Sequence, residues 1–304
     1  MVERRPLLDL FTHILLLLSA VALLVPVWLA FVAATHDIAG VNRVPINWLP
    51  GPYFLDNLSE AWTRGGFASR FTTSLVVALG VTAGKIILAM LAAFAIVFFH
   101  WRLRLVVFWL IFITLMLPLE VRIVPTYAVA ANALRPFQAI LDVTGLTALI
   151  QMISGIQIDL QWRLLNSTAG LILPLIATAT GTFLYRQFFL TIPEELVEAA
   201  KMDGAGPLRF LRDVLVPLSG TTMAALATIL FVYAWNQYLW PLLVTTEPER
   251  ATVMVQLSRM VPRGDGAPEW NIVMAGALLA MLPPLAIVIL MQRWFVRGLV
   301  QTEK

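Results

Sequence analysis

Six segments of this chain approach the roughly 20 apolar residues that a helix needs to cross the hydrocarbon core of a bilayer. They run from Phe11 to Ala34, Phe71 to Phe99, Leu105 to Leu119, Thr168 to Phe189, Val214 to Thr245 and Ile272 to Val296. The chain is therefore read as an all-α membrane protein with six transmembrane helices, one polytopic unit over residues 1–304. With 60% of its residues hydrophobic and 13% charged, it does not have the composition of a soluble domain. The third segment is short, and it can continue past Pro118 as a kinked helix because neighbouring helices satisfy the backbone groups that a proline frees. The first apolar run, Ile14 to Ala34, exceeds the apolar region of a cleaved signal peptide and reads as a retained span.

Charge sets the orientation and removes several classes of function. Arg4 and Arg5, then His100, Arg102 and Arg104, then Arg186, Lys201, Arg209 and Arg212, and last Arg293, Arg297 and Lys304 fall on one side of a six-span chain. Basic residues close to span ends mark the cytoplasmic side, so both termini are expected there. The other side also carries Arg43, Arg64, Arg163 and Arg259. A net charge of +3, with no basic cluster interleaved with aromatics, gives no basis for binding nucleic acid. Absence of cysteine excludes disulfides, thiolate nucleophiles and cysteine-ligated metals, and His13, His36 and His100 lie too far apart for metal-ligand spacing. No metal site is expected.

The outward connections are rich in turn formers, as at Ile46 to Pro52 and Val261 to Pro268. The longest runs from Asn132 to Ser167. Within it, Leu146 to Ile158 is apolar but too short, and too polar at Gln151 and Gln157, to span, so it reads as a surface or re-entrant helix.

Between the fourth and fifth apolar runs lies a charged, helix-forming interruption, Thr191 to Pro217. Thr191 and Glu194 have capping-box spacing, which predicts a helix over Ile192 to Asp203 with Pro193 in its first turn. Gly204 can adopt the left-handed conformation that ends it, and Pro207 starts a second helical piece. Leu196, Ala199, Ala200 and Asp203 share one face, where two alanines let a bulky partner group come close, while Glu194, Glu198 and Lys201 project elsewhere. An amphipathic surface helix between two spans would show the same pattern. Glu198-Ala199-Ala200, Gly204 after three more residues, and Val214-Leu215-Val216-Pro217 nine further on nevertheless resemble the EAA loop of ABC-importer permeases. That resemblance implies a cytoplasmic coupling helix, with Glu198, Ala199, Ala200, Asp203 and Gly204 in the part that docks on an ATPase subunit. Valine stands at two positions where the family usually has isoleucine and leucine, which preserves apolar character.

Other polar residues stand inside or beside apolar runs. Lys85 lies near the middle of the second run, where an ionisable group is costly and marks a functional candidate. Gly80 and Gly84 precede it at a spacing that lets two helices approach closely. The stretch GVTAGK is one residue short of a phosphate-binding loop and continues with Ile86, so no ATP site is expected on this chain. Glu120 and Arg122 sit at the outer end of the third run; a buried arginine presents two parallel donors to a phosphate, making Arg122 the leading contact for an anionic substrate. Mutual neutralisation of Lys85, Glu120 and Arg122 to hold helix register is the alternative. In YAWNQYLWP, Asn236, Gln237 and Tyr238 are candidates to line a hydroxyl-binding pathway; interhelical hydrogen bonding by Asn236 and an interfacial position for Trp240 are the competing reading.

The resemblance covers most of the chain. FITLMLPLEVRIVPT (Phe112 to Thr126), FLYRQFFLTIPEELVEAAKMDGAGPLRF (Phe183 to Phe210), YAWNQYLWPLL (Tyr233 to Leu243) and MQRWFVRGLVQTEK (Met291 to Lys304) are similar to the sn-glycerol-3-phosphate branch of the carbohydrate-importer permeases. Asn132 to Ser167 departs from the family, being longer than its usual third outward connection. The resemblance implies a subunit of the bacterial cytoplasmic membrane, not itself an enzyme, that moves glycerol-3-phosphate or related glycerophosphodiesters. A homologous second permease, an ATP-binding subunit dimer and an extracytoplasmic binding protein are the implied partners, with ATP and magnesium held by the ATPase. The binding protein is expected near Arg259 to Trp270. A permease for a neutral sugar or oligosaccharide is the alternative within the class. A secondary transporter would want intramembrane acids and inverted repeats, and a membrane enzyme a histidine or carboxylate cluster.

Overall fold

The computed structural model describes residues 6–114, 117, 119–157, 159–262, 264 and 267–300. Helices dominate it, and no strand occurs among the described residues. The chain divides into two compact units, Met1–Ala68 with Gln256–Pro283, and Ser69–Val255 with Pro284–Lys304.

In the first unit α1 (Pro6–Ala34) is a single long helix through Pro26. Its apolar side chains are exposed along nearly its whole length, the arrangement of a helix whose solvent is lipid or another apolar surface. Asp37 caps α2 (Ile38–Val41), its carboxylate accepting the Gly40 N–H at 2.8 Å. Near the start of α3 (Phe54–Arg64), the buried Asn57 amide donates to the carbonyls of Ala34 (2.9 Å) and His36 (2.7 Å) and accepts from Asn271 (2.8 Å). Ala34, Ala61, Ile272 and Ala275 form a small core around this network. Arg64 bonds to Glu60 one turn earlier and to Glu269 at 3.1 Å.

The second unit is built on α4 (Phe67–Phe98), which begins just before it and contains Gly80 and Gly84. A methyl group on Gly80 would stand 2.6 Å from Ile172 Cδ1, and one on Gly84 2.5 Å from Ile176 Cγ2. The two glycines thus admit side chains of the fourth apolar run against the α4 backbone, the close approach their spacing predicts. After α4 come α5 (Arg104–Ile113) and α6 (Leu119–Ala131). The third apolar run is therefore helical on both sides of residues 114–118, not one helix over Leu105 to Leu119; Pro118 itself lies outside the described residues.

The long connection holds α7 (Arg135–Val143) and α8 (Leu146–Ser154), bent by 78° at Gly145. Gly145 and Gly155 both take positive φ, 73° and 69°, so α8 stops at Ser154 instead of running to Ile158, a residue outside those described. Asn132 closes the connection: its side chain donates to Leu160 O at 3.1 Å and accepts the N–H groups of Leu134 and Trp162, each at 3.1 Å.

The fourth run consists of α9 (Thr168–Ile172), a tight turn over Leu173–Leu175 and α10 (Ala179–Phe189), bent by 49°. The charged segment forms α11 (Glu194–Met202) and α12 (Pro207–Phe210), followed by a π-helical turn over Leu211–Leu215 and the short α13 (Val216–Leu218). The fifth run is α14 (Gly220–Trp235), bent 76° from the helical stretch before it, and α15 (Leu239–Val244) after a break at Asn236 and Gln237. The remaining helices are α16 (Val253–Met260) and α17 (Trp270–Val300).

Three helices among the described residues are long and apolar enough to cross a membrane unaided, within α1, α4 and α17. The number rises to as many as six if each bent pair counts as one span, and α7 with α8 is one of those pairs. Trp240, for which an interfacial position is one of two readings of the sequence, is fully buried, and its indole N–H donates to Gly170 O at 3.1 Å. A polar edge that finds a carbonyl inside the bundle no longer needs the headgroup region.

Candidate functional site

Two concave sites in the second unit gather several of the residues singled out by the sequence. The first is a cleft of about 280 Å³ lined by Leu196, Ala199, Ala200 and Asp203 of the α11 segment and by Ala205, Arg209, Phe210, Asp213 and Val214 beyond it. The face predicted from helical spacing is thus the face turned to the cleft. Glu198 is exposed and does not line it. Arg209 and Asp213 pair across one turn at 3.4 Å, placing charge beside an apolar floor.

Local chemistry explains both ends of α11. At its start, Pro193 takes extended geometry at the N-cap, so the helix begins at Glu194 rather than Ile192. The Thr191 hydroxyl does not cap it. That hydroxyl donates back to Phe188 O at 2.7 Å, and the Thr191 N–H does the same at 3.0 Å, closing α10 instead. With Pro193 as the N-cap, Thr191 stands two residues ahead of the cap position, too early for a capping box to close. At its end, Gly204 has φ of 69°, its N–H donates to Lys201 O at 3.0 Å, and Ala205 N–H reaches Ala200 O at 2.9 Å. This is the Schellman pair of bonds, and it requires the left-handed residue that glycine supplies.

The segment stands on an aromatic base. Phe98 packs on Phe94, Phe189 and Phe210 with ring centroids 5.6, 5.7 and 5.4 Å away, and Val197, Ala200 and Val214 rest on the same core. Such ring pairs add about 0.5–1.5 kcal/mol each beyond the area they bury, so the cleft has a firm floor.

The second site is a cavity of about 610 Å³ between α4, α10 and α14, with Ile111, Thr114, Leu117 and Arg122 completing its wall. Its volume falls within the range of small-molecule sites. Lys85 lines it from α4 and is buried, only 6% exposed. Arg122 lines it as well but is exposed, unlike the buried arginine expected. Thr114, Thr178, Thr180 and Thr182 supply hydroxyls, and Tyr233 places its ring centroid 4.0 Å from the Lys85 ammonium. Among the described residues, neither cation makes an ion pair. The Glu120 side chain, the expected counterion, lies outside the described residues.

Asn236, Gln237 and Tyr238 do not line this cavity. They form the break between α14 and α15: Asn236 is the C-cap of α14, its N–H donating to Val232 O at 3.1 Å, and the Gln237 side chain donates to Tyr233 O at 3.4 Å. Amides at a helix end serve its last carbonyls, a demand as strong as any pathway. The residue this stretch does contribute is Tyr233, which sequence reasoning passed over. Its signal was spacing, since Leu226, Ile229, Leu230 and Tyr233 recur on one face of α14 and all line the cavity.

Comparisons with known proteins agree on one kind of molecule. Residues 85–301 match the family described as binding-protein-dependent transport system inner membrane component. The whole chain aligns with the whole of the sn-glycerol-3-phosphate transport system permease protein UgpE of Escherichia coli (strain K12), at 46% identity over 310 residues. The protein of that name from Brucella melitensis biotype 1 is also 46% identical, over 311 residues and the full length of both chains. In fold, the chain is similar to a chain in the crystal structure of a bacterial ABC transporter involved in the import of the acidic polysaccharide alginate. The TM-score is 0.75 at 18% identity, over 97% of this chain and 99% of the other.

Proposed function

Because the chain belongs to the binding-protein-dependent transport system inner membrane components, as a permease subunit of an ABC importer, we propose that it forms part of the pathway for sn-glycerol-3-phosphate. The observation that carries the substrate is the cavity in which Lys85 and Arg122 meet, with no ion-pair partner for either among the described residues. Two cations lining one small cavity repel each other, and the buried Lys85 ammonium bears a desolvation cost of several kcal/mol, both of which a phosphate relieves. The guanidinium offers parallel donors to phosphate oxygens and the ammonium a point charge. The threonine hydroxyls suit the glycerol part: those of Thr178 and Thr180 both donate and accept, while those of Thr114 and Thr182 donate to Ile111 O and Thr178 O and are left to accept. Full-length likeness to permeases named for this substrate supports the same reading.

In this reading the subunit works beside a homologous permease, two ATPase subunits and a binding protein that delivers substrate from outside, docking near Arg259 to Trp270. Both termini and the α11 segment face the cytoplasm. Glu198, Ala199, Ala200, Asp203 and Gly204 form the coupling element, and ATP and magnesium are held by the ATPase. A rigid helix seated on the ATPase transmits motion through α12 and α13 to α14, which carries a wall of the cavity.

The test is uptake of labelled glycerol-3-phosphate into proteoliposomes containing the assembled transporter, with and without internal ATP and binding protein. Uptake that needs both is the expected result. ATP-dependent uptake of an unphosphorylated sugar in its place would discard the substrate, and uptake by this chain alone on an ion gradient would discard the mechanism.

A further inference from the structure

Lys85 is buried against the ring face of Tyr233, and among the described residues it makes no ion pair. The magnitudes decide what that contact can do. A desolvated cation on an aromatic face gains about 2 kcal/mol, whereas taking an ammonium out of water costs several kcal/mol. The ring therefore offsets part of the cost and leaves the rest to an anion. It also covers only one side of the ammonium, whose three donors point in different directions.

The ring is carried by a helix that faces the cavity. Tyr233 lies near the end of α14, on the helix face whose Leu226, Ile229 and Leu230 line the same cavity. Opposite, α4 is held by the close contacts of Gly80 with Ile172 and Gly84 with Ile176. A lysine has four flexible methylenes and, unrestrained, turns toward any nearby carbonyl or water. The ring face removes that freedom.

Resting on the phosphate reading above, we propose that Tyr233 is a positioning residue for substrate recognition. Its ring holds the Lys85 ammonium at the cavity wall and leaves the remaining donors for the phosphate. The property that matters is the negative face of the ring and not its bulk.

Glycerol-3-phosphate uptake by the full transporter, reconstituted with binding protein and ATP, tests this with substitutions that separate the two properties. Tyr233→Leu lowers uptake about tenfold by losing the ring face, and Tyr233→Phe restores most of it. Mono-, di- and trifluorinated phenylalanines placed at 233 keep the shape while draining the face, and uptake falls stepwise along the series. Uptake that stays flat along the fluorinated series, while Lys85→Met abolishes it, overturns the role of Tyr233 and leaves the phosphate reading standing. Full uptake by both Lys85→Met and Arg122→Gln overturns the phosphate reading and this proposal with it.

Discussion

The cleft beside α11 and the cavity around Lys85 are both concave sites in one unit, yet they are assembled in opposite ways. Nearly all of the cleft comes from residues 196–214, so its wall is written consecutively. The cavity draws on residues from 85 to 233, contributed by α4, α10, α14 and the region of α5 and α6. One site is a property of helix starts and stops, the other of which helices meet. Local rules govern the first, so single changes at its ends should have small and calculable effects. The second depends on a buried charge in an apolar setting, where a single change is screened less than at the surface.

The comparison breaks most readily at Lys85. Lys85→Glu puts a like charge before an anionic substrate, and glycerol-3-phosphate uptake by the reconstituted transporter should fall by on the order of a hundredfold. Uptake within a factor of two of the unaltered protein would show that the cavity is not on the pathway. Next is Gly84→Leu, which drives a side chain into Ile176 and should lower the free energy of unfolding in detergent by about 1–3 kcal/mol. An unchanged melting temperature would mean that α4 and the fourth run are not held as closely as described.

Beside the cleft, Glu198→Lys places the wrong charge on the exposed edge of α11 and should weaken co-purification of the ATPase about tenfold while leaving membrane insertion intact. Normal recovery of the ATPase would remove Glu198 from the docking surface. Gly204→Ala has open space around it but forces a left-handed alanine, and should cost about 1 kcal/mol. Smallest of all is Thr191→Ala. A capping box would make it cost about 1 kcal/mol, whereas a hydroxyl that only reinforces the end of α10 predicts less than about 0.5 kcal/mol. A larger loss, measured by denaturant unfolding, would restore the cap.

Legibility followed the same division. The EAA-like segment could be read almost to the residue, because Gly204, Pro207 and the alanine face each act within a turn or two. The misreading at Thr191 came from two local rules in conflict, spacing for a cap against a proline that displaced it. For the cavity, Lys85 and Arg122 could be picked out singly because a charge in or beside an apolar run is costly wherever it points. Their meeting could not, since it depends on how α4 and the start of α6 approach one another. Asn236, Gln237 and Tyr238 show the limit from the other side: polar residues in an apolar run signal a helix end as strongly as a lined pathway, and only the position of the break separates the two.

The turn at Leu211–Leu215 joins the two sites, and its hydrogen bonds close one residue later than those of an α-helix. Such a turn holds one residue more than its length in α geometry would need. Drawing that residue into the regular pattern rotates the chain beyond it by about 100° without stretching a bond. A joint of this kind has discrete settings, like a clutch with teeth. Between the cleft and the cavity wall the chain carries one residue more than a regular helix of the same length would hold.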